Sequence, residues 1–144
     1  MIESVWLRIA NLILAISGDG IRGKFRAIGS WMPFLYKGNK SAEMVLKVRF
    51  GEPHFRVGKR NCIVHSAQSS IFVHGGKTYF EFTDKDYKIF IVSRGKRIMR
   101  MTQFIALSEN RPGFSINWQI ISAPLQFLIN YYLFINKLGI VLHA

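Results

Sequence analysis

Gly75-Gly76 lies between two segments of alternating apolar and polar residues, Ser70 to His74 and Lys77 to Phe82. A two-residue glycine loop suits the type I′ turn, in which both central residues need positive φ. The flanking segments then pair as antiparallel strands in one register. The pattern extends in both directions. Cys62 to Ser66 reads as a strand. Thr83-Asp84-Lys85-Asp86 turns the chain into a strand from Tyr87 to Ser93, and Arg94-Gly95-Lys96 turns it again into Arg97 to Phe104. Period-two segments with turns at close intervals predict an antiparallel meander.

Upstream, Glu43 to Gly51 alternates as well. Met44, Leu46, Val48 and Phe50 face one way and Lys47 and Arg49 the other, as in a half-buried strand ended by Gly51-Glu52-Pro53. Val5 to Ser17 fits a strand through Trp6, Arg8, Ala10, Leu12 and Leu14, or a short helix through Leu7, Ile9, Ile13 and Ile16. Gly18-Asp19-Gly20 reads as a turn. Ile21 to Met32 reads as a short helix weakened by Gly29 and stopped by Pro33, with Phe34 and Tyr36 filling the core beneath it.

Asn110 to Gly113 is a further loop and Phe114 to Ile121 a further candidate strand. Pro124 then opens an apolar run that Gly139 closes, the signature of a helix with a stop. Gln126, Asn130 and Lys137 share one face of that helix. The run Ile140-Val141-Leu142-His143-Ala144 reads as a short buried strand. The expected fold class is α+β: a mainly antiparallel sheet, with one short N-terminal helix and one C-terminal helix packed on it, in a single domain spanning residues 1–144.

A chain of 144 residues with 49% apolar and 14% aromatic residues can bury a core, which excludes a disordered segment. Cys62 is the lone cysteine, so no internal disulfide demands an oxidising compartment. Residues 5–16 carry Arg8 and Asn11 and are too short to span a bilayer core of about 30 Å. Residues 123–142 hold Gln126, Asn130, Asn136 and Lys137, polar groups that are costly in mid-membrane. The expectation is a cytoplasmic protein with no membrane partner.

Twenty basic against eight acidic residues give a net charge of +12, which attracts polyanions without choosing among them. The cations are dispersed, but Arg94, Lys96, Arg97 and Arg100 gather at one hairpin, with Lys85 and Lys88 close by in sequence. These six are candidate polyanion-binding residues, a ribbon able to grip phosphates while Tyr87 or Phe90 stacks on bases. The same charges also suit an edge strand protected against aggregation.

Three sharper motifs each lack something their chemistry needs. Gly18-Asp19-Gly20-Ile21-Arg22-Gly23-Lys24 matches a nucleotide loop up to its last position, where Phe25 replaces the hydroxyl residue that would hold magnesium. The histidines at 54, 65, 74 and 143 follow no zinc spacing, and Cys62 has no partner thiol, so no metal site is expected. Asp84 and Asp86 flank Lys85 in a turn, where aspartate caps backbone N–H groups.

Pro124-Leu125, Gly139 and Leu142-His143-Ala144 resemble a junction in the kinases and P-loop ATPases related to HPr serine kinase. There a Pro-Leu helix leads through a glycine into a Leu-His-Ala strand. The upstream order of strand, short helix, strand and hairpins is similar too, and it selects the strand for Val5 to Ser17. In that family a second strand and the phosphate-binding loop follow, and the 144 residues contain no such loop. The resemblance implies the non-catalytic N-terminal region of an HPr-kinase-like protein, for substrate recognition or as a scaffold, with no cofactor or nucleotide turnover of its own. It implies that His143 lies near the active centre once a kinase core is supplied. It also implies a P-loop kinase core or an acidic protein or peptide substrate as partner. A subunit that completes a kinase core in trans would offer the strand Ile140 to Leu142 as an edge, and the apolar C-terminal strand would also suit self-association. A complete small basic protein that binds nucleic acid or another polyanion is the alternative that the charge supports.

Overall fold

Met44, Leu46 and Val48 form the apolar half of an alternating segment, and all three are buried at the centre of the fold. The computed structural model describes residues 1–9, 11–26, 29–53, 62–65, 69–107, 118–122 and 124–136. Among them one sheet contains β1 (Ile2–Ile9), β2 (Leu12–Asp19), β3 (Met44–Phe50), β4 (Cys62–His65), β5 (Ser69–His74), β6 (Lys77–Thr83), β7 (Tyr87–Arg94) and β8 (Met99–Leu107). Their order across the sheet is β1-β2-β3-β8-β7-β6-β5-β4.

The fold is α+β, and the sheet is mixed. The expected antiparallel meander runs from β4 to β8. It then returns so that β8 lies parallel to β3, which is itself parallel to β2. Among the described strands five of the seven pairings are antiparallel, so the sheet is mainly antiparallel as expected, and the two parallel pairings of β3 correct the simple meander to a mixed sheet. A parallel neighbour needs a crossover connection, and α1 (Ile21–Arg26) with the 3-10 helix Gly29–Phe34 supplies it between β2 and β3.

Val5 to Ser17 is a hairpin rather than one strand, a second correction. Asn11 has φ 65°, in the left-handed region that asparagine tolerates. Alternation resumes beyond it, so Leu7 pairs with Leu14 and Val5 with Ile16. Gly18 and Asp19 therefore belong to β2, and Gly20, at φ 63°, makes the bend into α1. The single helix expected over Ile21 to Met32 is divided: α1 ends at Arg26 and Pro33 lies inside the 3-10 helix. Phe34 is exposed and Tyr36 half-buried, so neither plugs the core.

Two buried rows cross the sheet, Leu14–Met44–Met99 and Ile16–Leu46–Met101. Onto this face pack Ile21 and Phe25 of α1, then α2 (Trp118–Ser122) and α3 (Leu125–Ile135). α2 replaces the end of the strand expected over Phe114 to Ile121; residues 114–117 lie outside the described residues. α3 begins after Pro124 as expected. Its buried Leu125, Leu128, Ile129, Tyr132 and Leu133 recur at helical spacing. Burying each aliphatic side chain stabilises by roughly 1.5–3 kcal/mol. Phe80 of β6 meets Phe127 and Tyr131 edge-on, with ring centroids 5.5 and 5.2 Å away. Gln103 of β8, also buried, donates to the Ile121 carbonyl at 3.3 Å.

Among the described residues no helix packs on the opposite face. That face carries a smaller cluster in which Phe72 stacks on Tyr79 at 5.2 Å beside Phe90. No helix among the described residues is long and apolar enough to cross a membrane.

Candidate anion-binding cleft

Cross-strand partners share a face of the sheet, so register alone assembles the site. Arg94 of β7 pairs with Arg100 of β8, and Arg100 pairs with Val45 of β3. Lys77 precedes Thr78, the partner of Ser93, so it stands beside Arg94 on the next strand. Lys77 also pairs with His74 across the Gly75-Gly76 turn. One step further along the strands, Tyr79 pairs with Val92, Val92 with Thr102, and Thr102 with Lys47.

The result is a cleft of about 640 Å³ on the helix-free face. Its polar lining includes Lys47, His74, Lys77, Arg94 and Arg100, and contains no carboxylate. Val45, Tyr79, Val92 and Phe104 give it an apolar lining. Among the described residues no hydrogen bond or ion pair engages the side chains of Lys47, Lys77, Arg94 or Arg100. All four are exposed. Like charges directly opposite on paired strands are destabilising, so the Arg94–Arg100 pair works against the sheet unless an anion joins it. A concave site lined by one sign of charge concentrates counter-ions. The cleft is thus equipped to bind an anion.

The six candidate cations separate into three places. Arg94 and Arg100 meet in the cleft. Lys88 shares their face but lies six residues from Arg94 along β7, about 20 Å, and pairs with Glu81 at 3.5 Å. Lys85 sits in the turn at that far end, where its backbone N–H donates to Asp84 Oδ1 at 2.7 Å. Lys96 and Arg97 lie in the β7–β8 turn, pinned to α3: Asn136 donates to the Lys96 carbonyl and the Tyr132 hydroxyl to the Arg97 carbonyl, each at 2.9 Å. A single six-charge ribbon is therefore not what the chain builds. Lys47, His74 and Lys77 escaped the sequence reading. Lys47 joins the site only through the β3–β8 pairing, which no local pattern announces, whereas His74 and Lys77 sit on the predicted meander beside the turn that faces Arg94. Lys47 did carry one signal, its place on the outward face of an alternating strand.

The glycine-rich motif has another use. Gly18 and Asp19 end β2, and the Asp19 carboxylate takes the Met1 ammonium at 2.6 Å. Each group holds the other charged, by hydrogen bond and then by Coulomb attraction, so the carboxyl lies below and the amine above its ordinary pKa. Lys24 reaches over the Phe50 ring at 5.5 Å, a cation–π contact.

Among the described residues no three His, Cys, Asp or Glu side chains gather to hold a metal. His54, His143 and the run Ile140 to Leu142 lie outside the described residues, as do the side chains of Cys62 and His65. Comparison with family models, curated proteins and solved structures finds no match.

Proposed function

We propose that this chain is a non-catalytic recognition module that captures an anionic partner through the Lys47–Lys77–Arg94–Arg100 cleft. The observation that carries the reading is the convergence of four cations, none engaged by a carboxylate among the described residues, on one concave patch. Their cost to the sheet makes sense where a negatively charged group offsets it. The lining brings together no acid, base and nucleophile for group transfer.

The resemblance to HPr-kinase relatives supports a specific setting. In it the chain is the substrate-recognition or scaffold region before a P-loop core, in the cytoplasm, and the cleft receives an acidic protein or peptide. The alternative, a free-standing polyanion-binding protein, draws on the same cations.

Retention on immobilised heparin at low ionic strength tests the reading. The Lys47→Gln/Arg100→Gln double variant should elute at clearly lower salt, since each lost phosphate-like contact lowers the salt slope by about one. No retention at low salt would overturn the binding claim. ATP turnover that Lys24→Ala abolishes would overturn the non-catalytic one.

A further inference from the structure

The cations in the cleft are gathered rather than strung out. Lys77, Arg94 and Arg100 occupy neighbouring positions on β6, β7 and β8. With strands about 4.8 Å apart, the three backbone positions span only about 10 Å. Lys47 stands one strand beyond Arg100 and one pair step along. The stripe does not continue down β6 and β7, because Glu81 lies two residues past Tyr79 and takes Lys88. At the β1–β2 turn, Arg8 is committed to Asn11 Oδ1 at 3.2 Å. A nucleic-acid strand wants a groove that tracks several phosphates in succession. Arg49, one pair step past Lys47 on the same face of β3, is a single flanking cation, and the others meet at one focal point.

The rest of the lining is apolar. Val92, Phe104 and Val45 lie beside the cations, and Phe104 is only partly buried. A volume of about 640 Å³ falls within the range of small-molecule sites, which join an apolar wall to a few converging polar groups. Guanidinium groups present paired donors that match phosphate oxygens, and two of them face each other here.

We propose that the cleft takes one compact phosphate ester of nucleotide size. Its phosphate groups lie between Arg94, Arg100, Lys77 and Lys47, and its organic part lies against Phe104 and Val92. This rests on the anion-recognition reading and narrows it to a small ligand.

Calorimetric titration of the intact chain with ADP, with inorganic pyrophosphate and with heparin tests it. ADP should bind saturably at one site per chain and displace heparin. Arg94→Gln should weaken ADP and pyrophosphate alike by about tenfold or more, the loss expected for hydrogen bonds to a charged group. Phe104→Ala should weaken ADP but not pyrophosphate. Phe104→Leu, which removes the ring and keeps bulk, guards against a folding defect and should act in the same direction. Binding of heparin without ADP or pyrophosphate would overturn the compact ligand and leave the anion reading standing. Equal affinity for ADP and pyrophosphate, unmoved at Phe104, would remove the organic subsite and the proposal with it. If none of the three binds, both readings fall.

Discussion

Arg94 and Arg100 stand directly opposite each other on β7 and β8, two like charges on one face of an antiparallel pair. Such a pair destabilises by roughly 0.2–1 kcal/mol, and salt screens it. Arg94→Gln should therefore raise the urea midpoint at low ionic strength by a corresponding amount while weakening anion binding. The gain should shrink as salt is added. A variant that is less stable at low salt would show that the arginines are not repelling each other.

Phe80 ties α3 to the sheet through Phe127 and Tyr131 and is fully buried. Phe80→Ala should cost about 3–5 kcal/mol, as large-to-small changes at packed aromatic sites do. Urea denaturation measures this. A loss below about 0.5 kcal/mol, the range of surface substitutions, would place α3 elsewhere.

The Tyr132 hydroxyl donates to the Arg97 carbonyl, joining α3 to the turn between β7 and β8. Burial, and then the Glu43 charge, raise its phenol above the ordinary value. A raised folded pKa means the contribution is fully present below the unfolded phenol pKa, about 10. It is lost as pH rises through the folded value. Tyr132→Phe should flatten the alkaline limb of the stability profile and cost about 1 kcal/mol near neutrality through the lost hydrogen bond. An unchanged alkaline limb would assign that limb to other groups.

Gly75 and Gly76 both have positive φ, 58° and 74°. Gly75→Asn should be nearly neutral, because asparagine is favoured in this turn. Gly75→Val should destabilise by about 1–2 kcal/mol, the left-handed penalty of a residue with a Cβ. Thermal melts of the two variants separate these outcomes, and equal melting temperatures would rule out the type I′ turn.

What the sequence made legible was local. Alternation in Met44 to Phe50, the Gly75-Gly76 turn and the apolar spacing after Pro124 each came through as β3, the β5–β6 hairpin and α3. The turn at Asn11 stayed hidden because no glycine or proline marks it and the buried set only changes phase there, from Val5 and Leu7 to Leu12, Leu14 and Ile16. Phe114 to Ile121 read as a strand, though Trp118–Ser122 is helix, because a short apolar run carries no decisive period. The β3–β8 pairing spans the whole meander, and no local pattern announces it. The same limit governed the site. Arg94 and Arg100 were found because one hairpin holds both, and Lys77 follows from the next hairpin of the same meander, whereas Lys47 joins them only through the order of strands in the sheet.

Recognition by the cleft depends on where the charges are, beyond how many there are. The most direct measurement is anisotropy of fluorescent heparin at low ionic strength, comparing two double variants that change net charge equally. Arg94→Glu/Arg100→Glu alters the cleft, and Lys85→Glu/Lys96→Glu alters two turns, with circular dichroism confirming that both variants fold. The cleft variant should lose at least about tenfold more affinity than the turn variant, in line with charge-assisted hydrogen bonds against exposed charges. Equal losses would mean that bulk charge alone attracts the polyanion, and the cleft would no longer be a recognition site.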